Sequence, residues 1–219
     1  MPTSELLTVP YTYERPLPDF QNGDDIRFPD SLVAVLLDRF TKPGDKVFDP
    51  FSGLGTTFFV CEQKARIPYG IEADRQRYDW VKSRVNSKDN LLFGDSGDIG
   101  SFNLPEMDFS ITSPPYMPHW HEWNPLYNGD PRYDGYDIYL ERLQSIYAGV
   151  CRVLRKDACV IVQADNLTHE RFSTLVWDLG KALSEVMTLE GEIIVNWSEN
   201  AENEYQFTQC LVFKNNVIP

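Results

Sequence analysis

Residues 46–57 read Lys46-Val47-Phe48-Asp49-Pro50-Phe51-Ser52-Gly53-Leu54-Gly55-Thr56-Thr57. Val47 and Phe48, between Lys46 and Asp49, form a short apolar run with the character of a buried strand. Asp49 to Gly55 then supply a proline, a serine and two glycines, the composition of a turn. Thr56 opens a run to Lys64 that suits a helix. Strand, glycine turn and helix in direct succession are the first half of a βαβ unit. Two glycines one residue apart let backbone approach a ligand closely, and the helix behind them leaves N–H groups pointing at it. A dinucleotide fingerprint requires a third glycine at position 58, where Phe58 stands, and a P-loop requires a lysine that is absent. By itself such a turn favours a loop that binds nothing, and the residues around it change that weighing.

Outward from this stretch, strand and helix patterns alternate. Upstream, Pro29 and Asp30 precede Ser31 to Phe40, whose apolar spacing predicts a helix with an N-terminal cap. Lys42-Pro43-Gly44-Asp45 ends it. Downstream strands are predicted at Tyr69 to Ala73, Asn90 to Phe93, Asp108 to Thr112, Ala158 to Ala164, Gly191 to Trp197 and Phe207 to Phe213. Helices are predicted at Thr56 to Lys64, Gln76 to Asn86, Tyr139 to Arg155 and Glu170 to Met187. The expected fold is therefore α/β: a seven-stranded, mainly parallel sheet with helices on both faces. The last two strands have no helix between them, which predicts an antiparallel edge hairpin. Residues 1–25, proline-rich and without periodicity, read as an N-terminal arm. Residues 26–219 read as one catalytic domain without a separate target-recognition domain.

In such sheets ligands lie beyond the carboxyl ends of the strands. The second predicted strand ends in Glu72-Ala73, about twenty residues after the glycines, where an acidic side chain can bind ribose hydroxyls. The third is followed by Asp95-Ser96, a carboxylate placed to accept from an adenine amine. An adenosine ligand without a diphosphate fits this set, and S-adenosylmethionine is the candidate. The glycine loop resembles the cofactor loop of the DNA amino-methyltransferases, which methylate N6 of adenine or N4 of cytosine. Arg27-Phe28-Pro29 and the helix behind it resemble the segment that packs on the methionine moiety, and Phe207 to Lys214 resembles the family's last strand. The resemblance runs from about Phe28 to Phe213 and implies a Rossmann-like class I methyltransferase. It implies cofactor contacts from Phe28, Pro29, Asp49, Pro50, Phe51, Ser52, Gly53, Gly55, Thr56, Thr57, Glu72, Ala73, Asp95, Ser96 and Thr112.

After the fourth predicted strand comes Thr112-Ser113-Pro114-Pro115-Tyr116. Two prolines there can be a stiff exit and nothing more. The chemistry offers a reason for each residue. An exocyclic base amine is a poor nucleophile because its lone pair is delocalised into the ring. Acceptors aimed at both amine protons favour a pyramidal nitrogen. The Ser113 hydroxyl and the Pro114 carbonyl, held by proline φ angles, are such acceptors. Pro115 stiffens the turn and Tyr116 offers a face on which an extruded base can stack. The four are the expected catalytic residues. Serine in first place leans to cytosine within the family, and the order of the motifs resembles its unpermuted members.

Composition restricts the remaining possibilities. With 219 residues, 42% hydrophobic and 24% charged, the chain can bury a substantial core and is neither disordered nor fibrous. Neither a secretion signal nor a membrane-spanning run is legible, and four dispersed cysteines without a CxxC pair suit a reduced, cytoplasmic protein. No metal site is expected: His119 and His121 flank Trp120 without a third ligand. The net charge of −13 disfavours unaided duplex binding, which gains from counterion release at a basic face. Only Met117 to Ile138, with Trp120, Trp123, Tyr127, Tyr133 and Tyr136, and Asn196 to Gln206 offer substrate loops. The aromatics can equally form a packed lid. The expected partner is nucleic acid, DNA ahead of RNA, with a homodimer or a separate recognition subunit to supply grip. Methylation of a protein amide and a non-catalytic partner subunit are the other readings.

Overall fold

The computed structural model describes residues 4–21, 27–127, 132–168, 171–198 and 207–216. Its strands are β1 (Glu5–Val9), β2 (Lys46–Asp49), β3 (Ile67–Glu72), β4 (Leu91–Phe93), β5 (Met107–Thr112), β6 (Leu154–Ala164), β7 (Thr188–Trp197) and β8 (Phe207–Lys214). The helices are α1 (Asp30–Phe40), α2 (Thr56–Gln63), α3 (Arg75–Lys82), α4 (Gly135–Val153) and α5 (Leu175–Leu183). The strands form one sheet in the order β1-β7-β8-β6-β5-β2-β3-β4, in which β8 runs antiparallel to both neighbours and every other pairing is parallel.

Period-two alternation divides the core into two layers. On one face Phe48, Val160, Val162, Leu211 and Phe213 pack against Tyr139, Leu143, Ile146 and Tyr147 of α4 and Leu175, Leu179 and Leu183 of α5. On the other, Val47, Ile161, Ile193 and Cys210 pack against Leu32, Val33, Leu36 and Leu37 of α1 and Val60 and Cys61 of α2. Phe58 and Phe59 of α2 meet Tyr78 and Val81 of α3 and Leu91 of β4 in a third cluster. Buried Arg66 donates to the Leu37 and Thr41 carbonyls, which closes the carboxyl end of α1 on α2.

The expected seven strands are eight. The additional strand is β1, which lies in the segment read as an arm: it opens on Glu5, Thr8 interrupts its apolar residues, and its parallel partner β7 is distant in sequence. The β7–β8 hairpin is accordingly internal, with β1 covering its outer side. Asp30 does not cap α1. Pro29 occupies the cap position with no side-chain cap bond, and the buried Asp30 carboxylate instead accepts from the Glu14 N–H at 3.2 Å and pairs with Arg15. The helix predicted from Glu170 to Met187 contracts to α5, because Leu167 and Ser173 pair across a tight loop before it. Glu170 and residues 199–206 of the second substrate loop lie outside the described residues.

The chain leaves β2 toward β3 and β4 on one side, then returns to place β5 and β6 on the other. The junction of β2 and β5 is the topological switch point, where the carboxyl ends open a crevice.

Candidate active site

A cleft of about 710 Å³ opens at that point. Pro50, Phe51, Ser52, Gly53 and Thr56 of the glycine loop line it, with Phe28 and Pro29 from the start of α1. Glu72 and Ala73 reach it from β3 and Asp95 and Ser96 from β4. Ser113, Pro114, Pro115 and Tyr116 reach it from β5. Four expected cofactor residues lie behind this wall. Asp49 is fully buried; its carboxylate accepts from Thr57 Oγ1 and Thr112 Oγ1, each at 2.6 Å, and from the Phe51 N–H at 3.0 Å. It ties the loop to the starts of α2 and of the Ser113 turn. Burial pushes its pKa up to about 6 against these three hydrogen bonds.

The two glycines do different work. Gly53 has φ +52°, and its N–H donates to Glu72 Oε2 at 2.6 Å. Gly55 has φ +77°, and a Cβ there would stand 2.6 Å from Val81 Cγ1, so it serves the packing of α2 on α3. Gly70, beneath the loop in β3, is a third requirement: a Cβ would stand 2.1 Å from Ser52 Oγ and 2.7 Å from the Asp49 carbonyl.

Glu72 is 7% exposed, with Oε1 accepting from the Asp74 N–H at 2.7 Å. Burial raises its pKa to about 7, against the Asp74 and Gly53 hydrogen bonds and the Arg77 charge. Each oxygen retains a second lone pair, so the carboxylate can accept from vicinal hydroxyls. Asp95 Oδ1 accepts from the Gly97 N–H at 2.6 Å and from Arg142 Nη2 at 3.1 Å.

On the opposite side of the crevice a polar chain crosses β5, β6 and β8. Ser113 Oγ donates to the Tyr116 hydroxyl at 3.3 Å, and Tyr116 donates to Asp165 Oδ2 at 3.5 Å. Gln163 Nε2 donates to the same oxygen at 3.1 Å and to Thr208 Oγ1 at 2.6 Å. Burial lifts Asp165 to about 6 despite donors from Thr208, Gln163 and Tyr116. Burial, with the nearby Asp165 charge, holds the Tyr116 phenol well above its ordinary range. The Pro115 carbonyl accepts from Tyr139 at 2.8 Å, which anchors the turn on the core.

Asp165, Gln163, Thr208, Tyr11 and Trp197 line the cleft without having been singled out in the sequence. Asp165 was findable: it is the first residue after a predicted strand. Tyr11 was not, because its place depends on β1 joining the sheet.

The aromatic loop divides. Trp123 lines the cleft and Tyr133 is exposed. Tyr127 lies under the Arg132 and Arg142 guanidinium groups, and Tyr136 stacks on Tyr139 and donates to Asp178 at 3.0 Å. His119 pairs with Ser173 and His121 with the Trp123 carbonyl. Among the described residues no metal-ligating cluster occurs, and no helix is long and apolar enough to cross a membrane.

Sheet order, glycine loop and acidic strand end together define a class I methyltransferase fold. Among solved structures it is similar to TrmN from Thermus thermophilus, with a TM-score of 0.60 at 18% identity over 84% of this chain and 48% of that one. It is also similar to a TehB-like SAM-dependent methyltransferase from Corynebacterium glutamicum, with a TM-score of 0.51 at 13% identity over 89% and 90% of the two chains. Within that class, residues 11–83, the segment that carries the cofactor loop, match the DNA methylase family. A 62-residue stretch is 40% identical to the type II methyltransferase M.Cfr9I of Citrobacter freundii, taking in 28% of this chain and 21% of that protein. The match spans about a fifth of that relative's length. S-adenosylmethionine is the methyl donor that fold and family imply. The cleft fits it: a buried carboxylate faces the cavity beside a loop that only glycine at Gly70 lets lie so close, and that turns through a left-handed Gly53.

Proposed function

We propose that this protein methylates an exocyclic amine of a DNA base, N4 of cytosine ahead of N6 of adenine. The observation that carries the reading is the single crevice that joins the Glu72 and Gly53 pair to the Ser113–Tyr116–Asp165 chain. Bound S-adenosylmethionine supplies an electrophilic methyl group. Glu72 holds the ribose hydroxyls and Asp95 the adenine amine, while Phe28 and Pro29 cover the methionine side.

The hydroxyl chain has a direction. Ser113 spends its proton on Tyr116, and Tyr116 spends its own on Asp165, so the Ser113 oxygen presents lone pairs to the cleft. With the Pro114 carbonyl it can accept hydrogen bonds from both amine N–H groups and favour the pyramidal nitrogen. The proton that the methylated nitrogen must lose passes along the same chain to Asp165. Hydrogen bonds of 3.3 and 3.5 Å are long, and such contacts tighten when the reacting group is in place. Alignment and exclusion of water supply most of the rate. Serine in first place is what favours cytosine.

Labelled S-adenosylmethionine incubated with duplex DNA, single-stranded DNA and RNA, followed by nucleoside mass spectrometry, tests this directly. N4-methylcytosine in DNA is the expected product. N6-methyladenine would keep the reaction and change the base. Label confined to RNA, or to protein, would overturn the proposal.

A further inference from the structure

Among the described residues six large aromatics are between 40% and 74% exposed: Phe93, Trp123, Tyr133, Phe172, Trp177 and Phe207. All six belong to the carboxyl-end rim of the sheet. Phe93 ends β4; Trp123 and Tyr133 lie between β5 and α4; Phe172 follows β6. Trp177 sits in the first turn of α5, which the Val176 N–H fastens to Asn166 Oδ1 at 3.0 Å. Phe207 begins β8, which is antiparallel to β6 and so starts at this rim. Of the four exposed large aliphatics among the described residues, Leu6 lies on the edge strand and Ile67 and Leu189 at or near the opposite ends of β3 and β7, while Ile138 lies in the first turn of α4. Arginines stand at the β3 and β4 side of this rim, where Arg75 lies over Phe93 and Arg77 lines the cleft, whereas the sequence after β5, after β6 and between β7 and β8 is poor in positive charge. Residues 113–134, 165–174 and 198–206 contain eight carboxylates and no lysine, and Arg132 and Arg171 are their only arginines.

We infer that the substrate is single-stranded DNA, held by stacking of unpaired bases on this aromatic rim rather than by its phosphates; the inference rests on the nucleobase reading above. Duplex binding draws its affinity from basic side chains that release counterions, and this rim provides few. Base stacking on aromatic faces contributes about 1–3 kcal/mol per base and is tolerant of sequence. It is available only when bases are exposed, and a single strand also removes the unstacking cost of base extrusion, a few kcal/mol in a duplex. Trp123 is at once exposed and part of the cleft wall, so the stacking path leads to Ser113 and Tyr116. Phe172 and Trp177, with centroids 5.9 Å apart, form a second platform beside the carboxyl end of β6.

The test compares a circular single-stranded DNA with its fully duplex form of the same sequence, using the full chain and labelled methyl donor. At least tenfold faster labelling of the single strand is expected. Strand binding should quench tryptophan fluorescence, and Phe172→Ala with Trp177→Ala should weaken it severalfold. Both positions are exposed, so unaltered affinity for S-adenosylhomocysteine verifies the fold of the variant. Equal or faster labelling of the duplex overturns the inference and leaves the nucleobase reading intact. Preferential labelling of an RNA strand of the same sequence overturns the choice of DNA. Absence of label in every nucleic acid, with S-adenosylhomocysteine bound, overturns the nucleobase reading itself.

Discussion

Buried Glu72 and half-buried Asp165 are two carboxyls with raised pKa values in one cleft, and their proposed tasks differ. Asp165 receives a proton after methyl transfer, so it must start ionised. With the methyl donor saturating, kcat should fall as pH drops through about 6, and Asp165→Asn should lower kcat on the order of 10²-fold while sparing cofactor affinity. Single-turnover rates across pH 5–8 check this. Glu72 accepts from hydroxyls, which its ionised form does better. Affinity for S-adenosylhomocysteine should therefore weaken as pH falls through about 7, and Glu72→Gln should remove most of that dependence. Titration calorimetry at several pH values separates the two, because Asp165 makes no contact in the proposed cofactor half.

Among the elements, β3 carries the tightest constraint. Gly70→Ala puts a methyl group into Ser52 Oγ and the Asp49 carbonyl, and backbone there has little room to retreat. A loss of about 1–3 kcal/mol or more is expected, together with weakened cofactor binding. Gly100→Ala, with no heavy atom within 4 Å of the added carbon, is the control that should change neither. Helix α4 carries the opposite case. The Tyr147 hydroxyl is fully buried without a hydrogen-bond partner among the described residues. Tyr147→Phe should be neutral or stabilising by up to about 1 kcal/mol in thermal or denaturant unfolding, since it removes an unsatisfied polar group at nearly constant volume.

For the whole molecule, Asp49, Glu72 and Asp165 act together on stability. Each has a native pKa above its unfolded value, so between about pH 4 and 7 the native state binds more protons than the unfolded chain. Their contribution to stability is largest at the acid end of that window and is lost as pH rises through about 6 to 7. The net charge of −13 works in the same direction through self-repulsion. The melting temperature of the ligand-free protein should rise as pH is lowered from 8 to 5.5. A melting temperature that falls over that range would show the three carboxyls to be better solvated than their burial implies.

Much of this was legible locally. The strand, glycine turn and helix at 46–57, the acidic strand ends and the Ser113 to Tyr116 turn lie within runs of a few residues. Period and turn chemistry are properties of neighbours in sequence, so these features, and with them the methyltransferase fold, are determined by the chain itself. What only the tertiary structure decided depends on partners far apart. The Asp30 carboxylate turns to Arg15 and the Glu14 N–H because β1 brings the opening segment back against α1. Gly55 serves Val81, twenty-six residues away, rather than a ligand. The relay from Ser113 to Thr208 exists because β8 enters the sheet between β6 and β7 and sets Thr208 beside Gln163. Hydrogen bonds and close packing act over a few ångströms of space, and sheet order alone determines which distant residues share it.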